Sequence, residues 1–579
     1  MLKRERVVAH FRPRLWEVFN GKYRRADLSS DVMAGITVGL IALPLSLALG
    51  IASIPSGVQT PFPSPALGVF TAIFAGFLLS AFGGTKVSVG GPTAVFIPIV
   101  LLVLEKHGYP GMVLVTFMAG AMLVLMGISR LGTLIKYIPW PVTSGFTTGI
   151  AVMIMATQVE DFLGITSTVP VPRPFLEKLL WISGHLDCVN PWTLVLGVCC
   201  VLLIYYWPKL GLNRIPGSVV AMLLSAVLVA VLGLQDRLGI ATVGTQFGSN
   251  AIPATLPPLG FPHWSLDLVR DLMGPALALA LFGAIESLLS AVIADGLSGD
   301  RHDSNTELVA QGIANMGCSF FGALPATGAM ARTTANLNNG ARSPIAGMVH
   351  SMTVLAIVLL FAGHASKVPM AAMSAVLLMV AFRMGEWHEM TRLRRMTKSD
   401  ALVMMATFVL TVVFDMVIAM EVGMVLAAML FIRRVSESTE VSRVTKDDAL
   451  ETQSHLAEGK DIPDGVMVYR IFGPFLFGAA EKMQDALERI GEFPRVLILR
   501  LHLVTAMDST ALHALQSVAE RTRKSGSTLV ISGIHRQPLD VLHRAGFIEV
   551  IGIENFCGSY DGALARARQL LAQRDDQES

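Results

Sequence analysis

The chain has 579 residues, of which 53% are apolar and 15% charged, against about 25% charged in an ordinary soluble domain. That is too little charge to cover a soluble surface of this length. It excludes a purely soluble enzyme, a disordered scaffold and a nucleic-acid coat, and leaves a polytopic membrane protein with a soluble part attached.

The 45 basic and 43 acidic residues leave a net charge of +2, so there is no basic surplus for a nucleic-acid partner. The five cysteines show neither disulfide-framework nor metal-ligand spacing. Residues 1–30 are polar and carry eight Lys or Arg. They read as a cytoplasmic N-terminal region rather than a signal peptide.

A transmembrane transport domain is expected over 31–432. Its apolar segments run at 31–52, 66–82, 92–104, 111–128, 142–159, 192–207, 215–234, 272–294, 306–321, 327–337, 344–362, 370–383, 400–416 and 417–432. A full crossing takes about 20 residues, and segments three and ten are shorter. Basic residues follow every second segment: Arg130 and Lys136, Lys209 and Arg214, Arg301, Arg342, the group from Arg383 to Lys398, then Arg433 and Arg434. The positive-inside rule then places both termini in the cytoplasm of a multi-pass inner-membrane protein.

Residues 433–462 read as a linker and 463–579 as a soluble domain. Strands are expected at 466–473, 495–504 and 528–534, and helices at 479–491, 509–526, 538–546 and 561–573. This alternation predicts a small α/β domain with helices over a mixed or parallel sheet.

Two breaks interrupt the apolar pattern. Residues 83–93 read GGTKVSVGGPT and residues 322–328 read GALPATG, each leading into a short apolar helix. Extended backbone at membrane depth must be buried in protein or line a cavity. A half-helix starting there offers free N–H groups and the positive end of its dipole. Two such ends facing each other form an anion site without a metal. Seven segments separate the two, as in a pair of inverted repeats of seven.

Arg332 stands just inside the second half-helix, where it either adds positive potential beside an anion or pairs with a neighbouring carboxylate. Lys86, near the first break, is expected to snorkel to an interface. Glu286 lies in the apolar helix 281–296 and has three readings: it takes up a proton, binds Na⁺, or locks helix eight to helix ten. Asp295, Asp300, Arg301, His302 and Asp303 read as a cytoplasmic cap and gate network. Pro44 opens the backbone of the first helix, with Leu45 and Leu49 after it as pocket-lining or core residues. Thr93 either donates to an anion or caps its own helix.

GITVGLIALPLSLALG (35–50), VSVGGPTA (87–94), ESLLSAVIADG (286–296), RHDSNTELVAQGIAN (301–315) and the stretch from FFGALPATG to IAGMVH (320–350) resemble the sulfate permease family of membrane anion transporters. The C-terminal region resembles the STAS domain that this family carries. The resemblance covers nearly the whole chain. It implies a polytopic α-helical membrane protein of fourteen segments in 7+7 inverted repeats with two broken half-helices, divided into core and gate.

The resemblance also implies an anion between the starts of segments three and ten. Carried over, the site is Leu45, Leu49, Thr93, Ala329, Ala331 and Arg332, with Glu286 for coupling. Some relatives have glutamine in place of Leu45 and phenylalanine in place of Leu49 and Thr93. The pocket here is therefore roomier and leaves space for a small carboxylate.

The expected activity is secondary transport of a C4-dicarboxylate by proton symport. The alternatives are a bicarbonate or sulfate transporter coupled to Na⁺ or H⁺, an anion exchanger or a channel. A carrier of uncharged substrates and a membrane-tethered enzyme or sensor are further rivals. No cofactor or metal is implied beyond a coupling ion, H⁺ or Na⁺. The expected partners are the anion, the lipid bilayer, a second copy in a homodimer, and a regulatory protein at the STAS-like domain. There, Asp508, Ser509 and Thr510 cap a helix.

Overall fold

The computed structural model describes residues 11–18, 23–55, 57–133, 139–167, 171–172, 175–210, 216–248, 251–414, 416–444, 462–476, 482–483, 485–486 and 493–578. The chain divides into two compact units, 1–425 and 426–579.

The first unit is helical. Its main helices are α1 Arg25–Ser53, α2 Ser64–Phe82, α3 Ile97–Ile128, α4 Trp140–Leu163, α5 Pro191–Tyr206, α6 Gly217–Leu232, α7 Leu266–Ser298, α8 Ser304–Phe320, α9 Met330–Asn338, α10 Pro344–Ala365, α11 Met370–Met384 and α12 Lys398–Val413. A further helix, α13 Met416–Ser438, follows.

Among the described residues, six helices are long and apolar enough to cross a membrane. Three shorter apolar helices, at Gly217–Leu232, Pro344–Leu360 and Met370–Met384, accompany them. This is a polytopic α-helical membrane protein, but helix lengths alone do not give fourteen crossings. The expected segments three and four are two helical stretches of the run α3, which meet at Gly108, where φ is 64° and ψ −167°. The break is local because glycine alone adopts that backbone cheaply and Pro110 follows it.

The helices pack in two groups. In one, α1, α2, α3, α7, α8, α9 and α10 contact one another; in the other, α4 packs on α11 and α12, and α11 on α5. The crossing of α3 and α8 is close because Gly120 faces Gly312. A Cβ at either position would press on the other's carbonyl. Small residues let helices approach where apolar lipid supplies no hydrophobic drive.

The extended stretches between helices form two short strands, β1 Gly90–Pro92 and β2 Ala326–Gly328. The second unit holds β3 Glu440–Arg443, β4 Val466–Phe472, β5 Val496–Leu503, β6 Thr528–Ser532 and β7 Phe556–Cys557 in one sheet, in chain order. β3 is antiparallel to β4 and the other pairings are parallel, so the sheet is mixed.

Side chains alternate across that sheet as the strand period requires. Leu497, Leu499 and Leu501 pack with Ala511, Leu515 and Val518 of α14 (Ser509–Lys524). Val468, Ile498 and Val530 pack with Ala563, Leu564 and Ala567 of the C-terminal helix. Between these two lies α15 Arg536–Arg544, and the C-terminal helix is α16 Tyr560–Glu578.

Asp508 caps α14 by accepting from the Ala511 amide at 2.8 Å. The expected linker is structured at its start, since α13 runs to Ser438 and β3 follows. Most of its remainder, and most of the helix expected at 479–491, lies outside the described residues.

Candidate functional site

The two Gly/Pro-rich breaks meet. β1 pairs antiparallel with β2, with Gly90 opposite Gly328, Gly91 opposite Thr327 and Pro92 opposite Ala326. Two segments far apart in the chain thus satisfy each other's backbone in a region where water cannot.

Side chains complete the accounting. The Val89 amide donates to Thr333 Oγ1 at 3.1 Å, and Asn336 Nδ2 donates to the Val87 carbonyl at 3.0 Å. Asn315 accepts from the Ala326 amide at 2.9 Å and donates to its carbonyl at 3.0 Å. Gln311 Nε2 donates to that same carbonyl. Ser287 Oγ accepts from the Gly328 amide at 3.0 Å and donates to Gln311 Oε1 at 3.1 Å. In the first turn of α8, buried Glu307 accepts from the Gly84 amide and from Thr85 Oγ1, both at 2.9 Å.

Beyond each strand a helix begins. On one arm, Thr93 caps the short turn Ala94–Phe96 that leads into α3. Its Oγ1 accepts from the Val95 amide at 3.4 Å and donates to the Glu286 carboxylate at 2.9 Å. On the other arm, Ala329 caps α9. Its own amide donates to the Val89 carbonyl at 2.9 Å, and the first amides of α9 that follow have no acceptor inside their helix. Thr327 Oγ1 also donates to Glu286, at 2.8 Å. Glu286 therefore joins the heads of both half-helices. Of the two readings of Thr93, the cap is realised, and its hydroxyl proton goes to the Glu286 carboxylate.

Arg332 is 1% exposed. Its guanidinium lies near the carbonyls of Gly90 and Pro92 and the hydroxyl of Ser46, at 3.4–3.5 Å, and its Nε is unpartnered. The ion pair weighed for it is not found among the described residues. A Cβ at Gly91 would overlap its guanidinium, so the glycine is what admits the arginine beneath the ladder.

The remaining expected site residues scatter in exposure. Ala331 is exposed and Ala329, Leu45 and Glu286 are half-buried. Leu49 is 1% exposed and packs in the main apolar core. The residue of α1 that reaches Arg332 is Ser46, which the sequence reading passed over. Thr327, Ser287, Gln311 and Asn315 were missed as well. Glu307, Gln311 and Asn315 recur every fourth residue along α8, and that polar stripe in an apolar helix was the available signal.

Lys86, expected to snorkel to an interface, lies among acidic side chains. It pairs with Asp300 at 2.7 Å and Glu17 at 3.2 Å, because carboxylates stand within its reach. His302 joins Asp295 at 2.7 Å and Ser304 at 2.9 Å. Arg14 donates to Glu17 and to the Arg301 carbonyl. The expected polar cap is thus a network tied to the N-terminal stretch.

Elsewhere in the first unit, a cavity of about 1430 Å³ opens along the loop 57–64, with Glu105, Glu160, Asp161 and Lys178 in its wall. None of the seven expected site residues line it.

Residues 28–407 match the model of the sulfate permease family, and residues 460–561 match that of the STAS domain. The YvdB protein of Bacillus subtilis, whose name assigns it provisionally to sulfate transport, is 39% identical over 547 residues, covering 94% of this chain and 99% of that protein. The bicarbonate transporter BicA of Synechocystis is 28% identical over 565 residues, 96% of each chain.

Among solved structures, the transmembrane domain of a cyanobacterial BicA superposes with a TM-score of 0.58 at 27% identity, covering 70% of this chain and 99% of that one. The murine Solute Carrier 26 member A9 anion transporter, in its inward-facing state, gives a TM-score of 0.85 over 98% and 96% of the two chains. At 18% identity it speaks for the fold alone.

Proposed function

Because the chain belongs to the sulfate permease family and carries a STAS domain, we propose that its anion binds between the heads of α3 and α9 and that Glu286 couples the uptake to a proton. The chain is a secondary active anion transporter of the sulfate and bicarbonate type rather than an enzyme. The observation that carries the site is the β1–β2 ladder, which sets both half-helix heads beside Arg332 and Glu286.

The coupling argument is one of charge. With Arg332 cationic and Glu286 ionised, the site is neutral. An entering anion makes it negative in a medium that penalises uncompensated charge. For bicarbonate one proton on Glu286 restores neutrality, for sulfate it lowers the excess from two negative charges to one, and in either case it frees the Thr93 and Thr327 hydroxyls to donate to the anion instead. A Na⁺ ion satisfies the same balance, and it is the competing reading.

For the substrate, the expected C4-dicarboxylate gives way to its alternative. The relatives' names point to bicarbonate and sulfate, and we propose one of these two. The wider frame of the proposal is fourteen segments in two inverted repeats, the expected domain boundaries, cytoplasmic termini and a homodimer.

Uptake into proteoliposomes tests it. Labelled bicarbonate, sulfate, succinate and fumarate are offered under a pH gradient or a Na⁺ gradient. Bicarbonate or sulfate should accumulate under an inward proton gradient without Na⁺. Accumulation of only the dicarboxylates would return the substrate to the first reading, and accumulation only with Na⁺ would sink proton coupling.

A further inference from the structure

His350, on α10, is a buried titratable group that the coupling argument leaves unused; it is 0% exposed. Its ring interacts with the Gly347 carbonyl, one turn earlier. Because Nε2 is buried without a partner, the nitrogen involved is Nδ1, which also lies 3.4 Å from Ser351 Oγ. A carbonyl only accepts, so Nδ1 carries the proton and Nε2 is left as a bare acceptor. Arg332 is the charged group that acts on this ring. A second proton on the imidazole would set two cations in one buried region, which the neutral ring avoids.

Arg332 shows the complementary defect. Its Nε–H is a donor with no acceptor. Its contacts to Gly90, Pro92 and Ser46 are 3.4–3.5 Å long, against about 2.9–3.0 Å for an ordinary N–H···O bond. Three long contacts hold a planar group with so many donors only loosely.

Both side chains converge on one residue of α2. A Cβ at Gly76 would come within 3.2 Å of His350 Cε1 and of the Gly90 carbonyl oxygen alike. That carbonyl is the one Arg332 Nη1 approaches. An unserved donor and an unserved acceptor thus share one buried region, where each is costly alone and the two satisfy each other.

We propose that His350 is a positioning residue for Arg332: its Nε2 accepts from the Arg332 Nε–H, directly or across one bound water, and so sets the direction in which the guanidinium faces the heads of α3 and α9. This role presupposes the proposed anion site between those heads. His350 itself touches no anion and acts through Arg332. The guanidinium is directed before the anion arrives, so losing His350 weakens binding rather than the movement that follows.

The full chain in proteoliposomes tests this, with KM and Vmax measured for labelled sulfate and labelled bicarbonate. His350→Leu removes the acceptor and should raise KM about ten-fold while Vmax is nearly kept. His350→Gln supplies an uncharged acceptor and should bring KM back to within about three-fold of the original. Arg332→Lys keeps a cation for the anion but has no Nε–H. In that background His350→Leu should change KM no further.

Thermal melting of the original chain, His350→Leu, Arg332→Lys and the double variant gives a readout that needs no transport. The double variant should lose less in Tm than the two single losses together. An equal rise in KM in both backgrounds, no rescue by glutamine, or additive melting shifts would overturn the assignment and leave His350 a packing residue. If the original chain takes up neither anion, the anion-site reading fails, and the melting cycle alone decides whether the two residues are coupled.

Discussion

Glu286 carries two hydroxyl bonds and no cation within ion-pair distance among the described residues, and the proposed coupling rests on it. Glu286→Gln keeps an acceptor for Thr93 and Thr327 but cannot titrate. Accumulation driven by a pH gradient should fall at least ten-fold, while anion exchange between equal pools persists. Unchanged accumulation would remove Glu286 from coupling. Gly91 makes a second prediction. Gly91→Ala places a methyl where the Arg332 guanidinium lies, so uptake should drop about ten-fold or more while the protein remains folded in size-exclusion profiles; such a drop corresponds to about 1.4 kcal/mol. Arg332 and Glu286 were legible as residues because charges in apolar helices are rare. Ser46 was not, since one serine among leucines carries no pattern. Nor was the division between Leu45 and Leu49: two leucines one turn apart look alike until their neighbours are known.

The two breaks could be read from glycine and proline, but their pairing could not. A ladder of Gly-Gly-Pro against Ala-Thr-Gly uses backbone groups alone, and side-chain periodicity is silent about it. The same holds for α3, where the backbone of Gly108 alone sets the break between its two helical stretches. The α3–α8 crossing yields a prediction of opposite signs. At Gly312 a Cβ would press on the Gly120 carbonyl and on Val124, whereas at Gly296 it meets open space. Gly312→Ala should lower the Tm of the purified protein, with a cost on the order of 1–3 kcal/mol from overpacking. Gly296→Ala should hold or raise it by about 0.5–1 kcal/mol through helix propensity. Equal effects at the two sites would refute the close crossing.

At the largest scale, low charge located the membrane unit, and the change of texture after residue 435 located the soluble one. The grouping of the membrane helices was expected from the family resemblance alone, since which helix meets which depends on shapes that composition does not encode. The ladder between β1 and β2 bears on biogenesis as well as on transport. A chain emerging from the ribosome inserts α3 long before residues 326–328 exist, so Gly90–Pro92 must wait without its partner. Contacts of such high sequence separation form late, because the intervening chain has to be ordered first. The proposed anion site is therefore among the last parts of the molecule to be completed. A nascent chain arrested ahead of β2 carries an unpaired strand at membrane depth, a feature by which the insertion machinery and quality-control proteases can distinguish it from the finished transporter.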